Sequence, residues 1–167
     1  AWSEYWLENV ILKTAEKFEN DKTFWYFVTA NPNVTIKLIE KHINLPWNWH
    51  AICESLIDSI DFVLRHYRHV PLNWEQLSWN PNISLDDIDN NPELPWDFES
   101  ISYRNDLTLE FVRKYEHKNL DARGLSKNAG LWPDINKNAQ NYCVTSALTD
   151  NPMITVEFIE RHMPIYM

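Results

Sequence analysis

The sequence predicts an all-α fold, a right-handed α-solenoid of short helix pairs in which α- and 3₁₀-helices alternate. Three observations predict it. A unit of about 24 residues recurs along the chain, only two of 167 residues are Gly, and nine Pro together with many Asn punctuate short apolar runs. So few Gly leave no material for a Gly-rich phosphate loop, a dinucleotide fingerprint or a series of type I′ hairpins. A hydrophobic content of 44% with nine Trp marks an ordered chain with a substantial core.

The unit is clearest in NWEQLSWNPNISLDDI, residues 73–88. With Asn80 as reference, the equivalent positions are Asn31, Ser55, Asn80, Arg104, Asn128 and Asn151, spaced 24, 25, 24, 24 and 23 apart. Three residues earlier stands an apolar residue in every copy: Val28, Ile52, Leu77, Ile101, Leu125 and Leu148. The next position is always small: Thr29, Cys53, Ser78, Ser102, Ser126 and Thr149. Six before the reference come Trp25, Trp49, Trp74 and Phe98.

Residues 1–30 read as an N-terminal helical cap. Ser3 opens a helix that runs through Trp6, Leu7, Val10, Ile11 and Phe18 to end near Asn20-Asp21. Residues 31–167 read as the solenoid, about five to six units. The first helix of a unit opens on a hydroxyl N-cap, Thr35, Ser59, Ser84, Thr108 or Thr155. Acids follow in the first turn at Asp61, Asp86, Glu110, Asp134 and Glu157, where the helix dipole favours them. The copy after Asn128 uses Trp132-Pro133 instead, with Pro at the first helical position. One stripe is apolar, as in Leu38 and Ile39, Phe62 and Val63, or Phe111 and Val112, and the last turn carries Lys41, Arg65, Lys114 or Arg161.

The second element opens at Asn48, Asn73, Asp97 or Asp121, after Leu45-Pro46-Trp47, Val70-Pro71-Leu72 or Leu94-Pro95-Trp96. It has room for one or two turns, in part 3₁₀. Helices this short are marginal alone, so the units must stack to bury their Trp, Ile, Leu and Phe. The apolar tail Met163-Pro164-Ile165-Tyr166-Met167 stops partway through a unit, which points to further chain or a partner there. Ala at position 1 fits a processed chain or a fragment of a longer one.

Asn-Pro-Asn-Val-Thr at 31–35, Pro-Trp-Asn-Trp at 46–49 and Leu-Ser-Trp-Asn-Pro-Asn-Ile-Ser at 77–84 resemble the Trp/Asn-Pro repeats of giant DNA viruses. That resemblance covers roughly residues 23–162 and brings no catalytic residues with it. The period, and the Asn-Pro step before a short apolar helix, are also similar to the leucine-rich repeat variant. The second resemblance implies a superhelix of alternating α- and 3₁₀-helices.

A formal net charge of −9 argues against nucleic acid or anionic lipid as the main partner. Cys53 and Cys143 are too far apart in sequence for a paired metal motif, and they fit a reducing compartment. No apolar run reaches the roughly 18 residues of a spanning helix. No secretory signal precedes the first Trp, so the expected location is intracellular, in a host cytoplasm, or in a virion.

Few residues invite a chemical role. His42, His66 and His162 share one column, but stacked copies lie about 10 Å apart, too far for a shared metal. These side chains read as helix C-terminal closures. His66, Arg68 and His69, in His66-Tyr67-Arg68-His69, form a basic spot able to grip a carboxylate. Asp86, Asp87 and Asp89 lack the Gly-enabled turn of a hard-cation loop, and Cys53 belongs to the small-residue column. No catalytic residue, cofactor or metal is expected. The column just before the reference is variable (Ala30, Glu54, Trp79, Tyr103, Lys127, Asp150), which implies exposure. Trp79 and Tyr103, in consecutive units, are the candidate protein-binding aromatics. The function expected is a non-enzymatic repeat scaffold that binds a host or viral protein. The alternative is a structural subunit or cement protein of a virion, self-associating through repeat ends. A metal-dependent enzyme ranks third.

Overall fold

The computed structural model describes residues 4–128 and residue 131, with side chains from residue 8 onward. The cap at Ser3, the reference Asn151, the elements expected around Trp132-Pro133 and Thr155, Cys143, His162 and the tail from Met163 lie outside the described residues. The chain divides into two compact units, Ala1–Ile83 and Ser84–Met167. Every regular element among the described residues is helical, so the fold is all-α.

The first unit contains α1 (Glu4–Thr14), α2 (Lys22–Thr29), α3 (Ile36–Lys41), α4 (Trp49–Ala51), α5 (Ile60–His66) and α6 (Trp74–Trp79). The second contains α7 (Leu85–Asn90), α8 (Phe98–Ile101), α9 (Leu109–Lys114) and α10 (Ala122–Lys127). Helix α1 is shorter than expected, stopping at Thr14, whose hydroxyl donates back to the Val10 carbonyl at 2.7 Å. The chain then turns and restarts at Asp21, whose carboxylate accepts from the Phe24 N–H at 3.0 Å.

The cap columns act as their chemistry dictates. Thr35, Ser84 and Thr108 accept from the N–H groups of Leu38, Asp87 and Phe111, and Asn48 and Asn73 accept from Ala51 and Gln76. Two expected caps do not bond this way. Ser59 and Asp97 occupy the capping backbone conformation without a side-chain bond to a helix N–H, and Asp97 accepts from the Ser100 hydroxyl at 2.6 Å instead. Asp87 closes a capping box, its carboxylate accepting from the Ser84 N–H at 2.9 Å.

The second elements were expected to be partly 3₁₀, but α6, α8 and α10 are α-helical. The departure is wider, not tighter. Helix α4 passes into a π turn, Ile52–Leu56, closed by the Ile57 N–H on the Ile52 carbonyl at 3.1 Å. This corrects the position of Ser55, which lies inside that turn and back-bonds to the Ala51 carbonyl, whereas Asn31 and Asn80 sit at corners. Ser55 has neither the Asx side chain nor the following Pro that would stop the helix there.

The 25-residue spacing has its own local cause. Before Pro46 and Pro95 the chain makes a three-residue turn, Leu45 N–H to His42 and Leu94 N–H to Asn91. Before Pro71 the turn is one residue wider, with the Val70 N–H on the His66 carbonyl at 3.2 Å. The extra residue lies within His66-Tyr67-Arg68-His69.

Consecutive repeats in each unit are tied by two recurring bonds. The small-residue column is buried at every described position, Thr29, Cys53, Ser78, Ser102 and Ser126, and three of these side chains accept the backbone N–H of the next repeat's cap. Asn48 N–H bonds Thr29 Oγ1 at 3.1 Å, Asn73 N–H bonds Cys53 Sγ at 3.3 Å, and Asp121 N–H bonds Ser102 Oγ at 2.9 Å. The reference amide reaches back the other way. Asn80 Nδ2 donates to the carbonyls of Cys53 and Ile57 at 2.9 and 3.1 Å, and Asn128 Nδ2 donates to that of Arg104. Larger side chains than these would separate the layers. At Gly124 even a Cβ would stand 2.9 Å from the Ser102 carbonyl and the Tyr103 ring.

Arg104 replaces Asn in the reference column and remains buried by closing on its own loop. Its guanidinium grips Asp106 with two bonds of 2.9 and 2.6 Å. Apolar side chains form the core of each unit, among them Trp25, Leu38, Ile52, Phe62 and Leu77 in the first. Ile88, Trp96, Ile101, Phe111 and Leu125 do so in the second.

Candidate functional site

His42 and His66, the paired histidines of one column, each hold a different glutamate, Glu8 on α1 and Glu40 on α3. His42 Nε2 lies 2.5 Å from Glu8 Oε1, which also meets Lys41 Nζ at 2.8 Å. His66 Nε2 lies 2.9 Å from Glu40 Oε1, which also meets Arg65 at 2.7 Å. The second unit repeats the device with other residues, Lys114 Nζ on Asp89 Oδ2 at 2.8 Å beside the buried ring of Tyr115. Among the described residues no group of three or more His, Cys, Asp or Glu side chains is placed to hold a metal ion.

The bond from His66, with desolvation opposing it and Arg65 adding to it, holds the Glu40 carboxyl below the ordinary value of 4.5. A carboxylate depressed in the folded state stabilises above its unfolded pKa and loses that contribution as pH falls through its folded pKa. The urea midpoint should therefore decline as pH is lowered from about 4.5. Glu40→Gln should flatten part of that decline, read by circular dichroism at each pH.

The rest of the basic spot is locally satisfied. Arg68 is exposed and lies over Tyr67, its Nε donating to the Tyr67 hydroxyl at 2.8 Å with the guanidinium 5.2 Å from the ring centre. His69 is exposed, and its backbone N–H closes the turn on His66. Cys53, buried as a rung between repeats, has its thiol pushed up to about 11 by burial, against the Asn73 N–H bond that lowers it. It is a thiol at neutral pH and a poor nucleophile.

The two candidate aromatics differ. Trp79, the last residue of α6, is 48% exposed. Tyr103 is half-buried; its hydroxyl donates to Asp121 Oδ2 at 2.5 Å, which raises the phenol's pKa, and its ring packs on Gly124. Tyr103 thus covers a seam within the second unit, while Trp79 stands out from the first.

Protein-family profiles, curated proteins and solved structures were compared with the chain. None matches it. No helix among the described residues is long and apolar enough to cross a membrane.

Two features of the first unit escape a reading by columns. Tyr26 and Phe27 on α2 are 49% and 67% exposed and meet edge to face, 5.5 Å between centres. The signal was present in Phe24-Trp25-Tyr26-Phe27-Val28, an apolar run too broad for a single buried stripe. The second is a cavity of about 480 Å³ lined by Glu19, Lys22, Trp25, Trp47, Trp49 and Pro71 among others. Its lining comes from residues 19–25 and from two later copies, so no single copy displays it.

Proposed function

We propose that the chain is a non-enzymatic repeat scaffold, a solenoid of short helix pairs, that binds another protein through an exposed face. The observation that carries this reading is how the polar and apolar residues are divided. In each unit the recurring Asn, Ser, Thr and Cys side chains are engaged in joining one repeat to the next. Large aromatics, Trp79, Tyr26 and Phe27, are left outward on the first unit. Exposed aromatics on a rigid support are the usual anchors of protein interfaces. The resemblance to the Trp/Asn-Pro repeats of giant DNA viruses agrees with a scaffold and adds no chemistry. With its excess of acid, the chain favours a basic partner surface.

The test is affinity capture from expressing cells with mass spectrometry, followed by titration of the captured partner. Trp79→Ala should weaken binding at least about thirtyfold, as truncation of an anchoring Trp does. Tyr103→Phe, which removes only the seam hydroxyl, should leave binding unchanged. Equal capture by parent and Trp79→Ala chains would overturn Trp79 as the anchor, and no specific partner for either would overturn the scaffold reading.

A further inference from the structure

We infer that α2 carries a self-association surface, on which a second copy of this chain docks by antiparallel pairing of the two α2 helices. A helix turns by about 100° per residue, so side chains two positions apart point to nearly opposite sides. The small-residue column, two before each reference, faces the following repeat, as Thr29 does in accepting the Asn48 N–H. The column four before the reference faces the preceding repeat, since a Cβ at Gly124 would meet Ser102 and Tyr103 at 2.9 Å. After the first copy that column holds Ala51, Gln76, Ser100 and Gly124, none of them exposed. In α2 it holds Phe27, which is 67% exposed. The neighbouring column, five before the reference, holds His50, Glu75, Glu99 and Arg123, all polar and exposed, but Tyr26 in α2. Only α2 is aromatic at both positions.

Helix α1 does not cover this end. Its Glu8 meets Lys41 and His42 at the end of α3, as Glu40 meets Arg65 and His66 at the end of α5. It therefore completes the row of first helices, while Thr23, Tyr26, Phe27 and Ala30 leave the row begun by α2 exposed. Asn31 gives an independent sign. The side-chain amides of Asn80 and Asn128 donate to carbonyls of the preceding repeat. Asn31 accepts from Asn33 through Oδ1, but its Nδ2 has no acceptor among the described residues.

The stripe itself selects the occupant. Ordinary stacking of one more repeat is opposed by size, because Phe27 stands where Gly124 lacks room even for a Cβ. About a midpoint between residues 26 and 27, the stripe Thr23, Tyr26, Phe27, Ala30 reads small, aromatic, aromatic, small. A twofold axis there sets each Tyr26 against the partner's Phe27, and each Thr23 against the partner's Ala30, where small side chains let the helices approach. All four side chains are uncharged, so a chain of net charge −9 meets its copy without like charges at the centre. Tyr26 and Phe27 already meet edge to face, and the pairing extends that cluster across the axis. It also brings the partner's Thr23 hydroxyl toward the end of α2 where Asn31 lacks an acceptor.

The full chain, purified alone, is followed by sedimentation velocity from about 10 µM to about 1 mM, the range suited to a contact of one short helix per copy. The expected result is a reversible monomer–dimer equilibrium that stops at the dimer. Phe27→Asp and Tyr26→Lys each remove both aromatic contacts across the axis and should each weaken it at least about tenfold. Both side chains are exposed, so each variant should keep the thermal midpoint of the parent chain. An equimolar mixture of the two variants should associate about tenfold more tightly than either alone. The mixed dimer keeps one aromatic contact and pairs the introduced carboxylate with the introduced ammonium at the other. A chain monomeric throughout, which would assign the stripe to a different protein, would overturn the pairing. So would growth beyond the dimer, variants that associate like the parent, or a mixture no tighter than its components. No other protein is present in this experiment, so its failure and a failure of capture through Trp79 are read separately.

Discussion

Asn80→Leu should destabilise the first unit by about 2–3 kcal/mol, although leucine matches asparagine in size and suits a buried position better. The Asn80 side chain is wholly buried, donates to the carbonyls of Cys53 and Ile57, and accepts the Asn82 N–H at 2.8 Å. Leucine leaves the Cys53 carbonyl without this bond and releases the Asn80–Asn82 turn. The Ile57 carbonyl keeps the Asn82 amide at 3.2 Å, which limits the loss. A urea titration followed by tryptophan fluorescence measures the change. Asn80→Asp should cost more at neutral pH, because it turns a donor toward carbonyls into a buried anion. Parent-like stability in both variants would remove the amide ladder from the account of how repeats join.

Trp25→Ala is the more severe change, at about 3–5 kcal/mol, a large fraction of the stability of an ordinary domain. Trp25 is 2% exposed, and its ring meets Phe24 and Trp47 edge to face with centres 5.5 Å apart. Its indole N–H also ties down the turn at Phe18. Truncation removes the support of α2 and enlarges the cavity that Trp25 lines. Near-ultraviolet circular dichroism should show loss of fixed aromatic packing at a lower temperature than in the parent chain. Trp25→Phe should lose less, since most of the buried area survives.

The all-helical class and the cap positions were legible because they depend on near neighbours. A Thr at 35 or a Ser at 84 needs only the backbone three residues on. What a repeated side chain does for a distant repeat was not legible. Nothing local tells that Thr29, Cys53 and Ser102 accept the next cap's N–H from 19 or 20 residues away. Cys53 reads as a small hydrophobe until that N–H is seen against its sulfur. Ser55 was placed by counting, but the corner at Asn31 and Asn80 depends on an Asx side chain that serine cannot supply. The candidate aromatics illustrate the same limit. Trp79 and Tyr103 share a column, yet only Tyr103 has an Asp121 within reach of a hydroxyl. The cavity was invisible because its lining is drawn from distant stretches of sequence: Glu19 from the N-terminal region, Trp49 and Pro71 from two different copies.

The widened turn between His66 and Pro71 gives the molecule a place to absorb an insertion. There one added residue is taken up by moving a single N–H to the same carbonyl, and the Leu72 N–H still closes on Val70 at 2.9 Å as Trp47 closes on Leu45. Length variation at that loop leaves the bonds from Asn73 to Cys53 and from Asn80 to Cys53 and Ile57 in register, whereas a residue gained between Asn73 and Asn80 puts the two out of step. A one-residue insertion between His66 and Pro71 should therefore be tolerated far better than one between Asn73 and Asn80, as urea midpoints of the two variants would show.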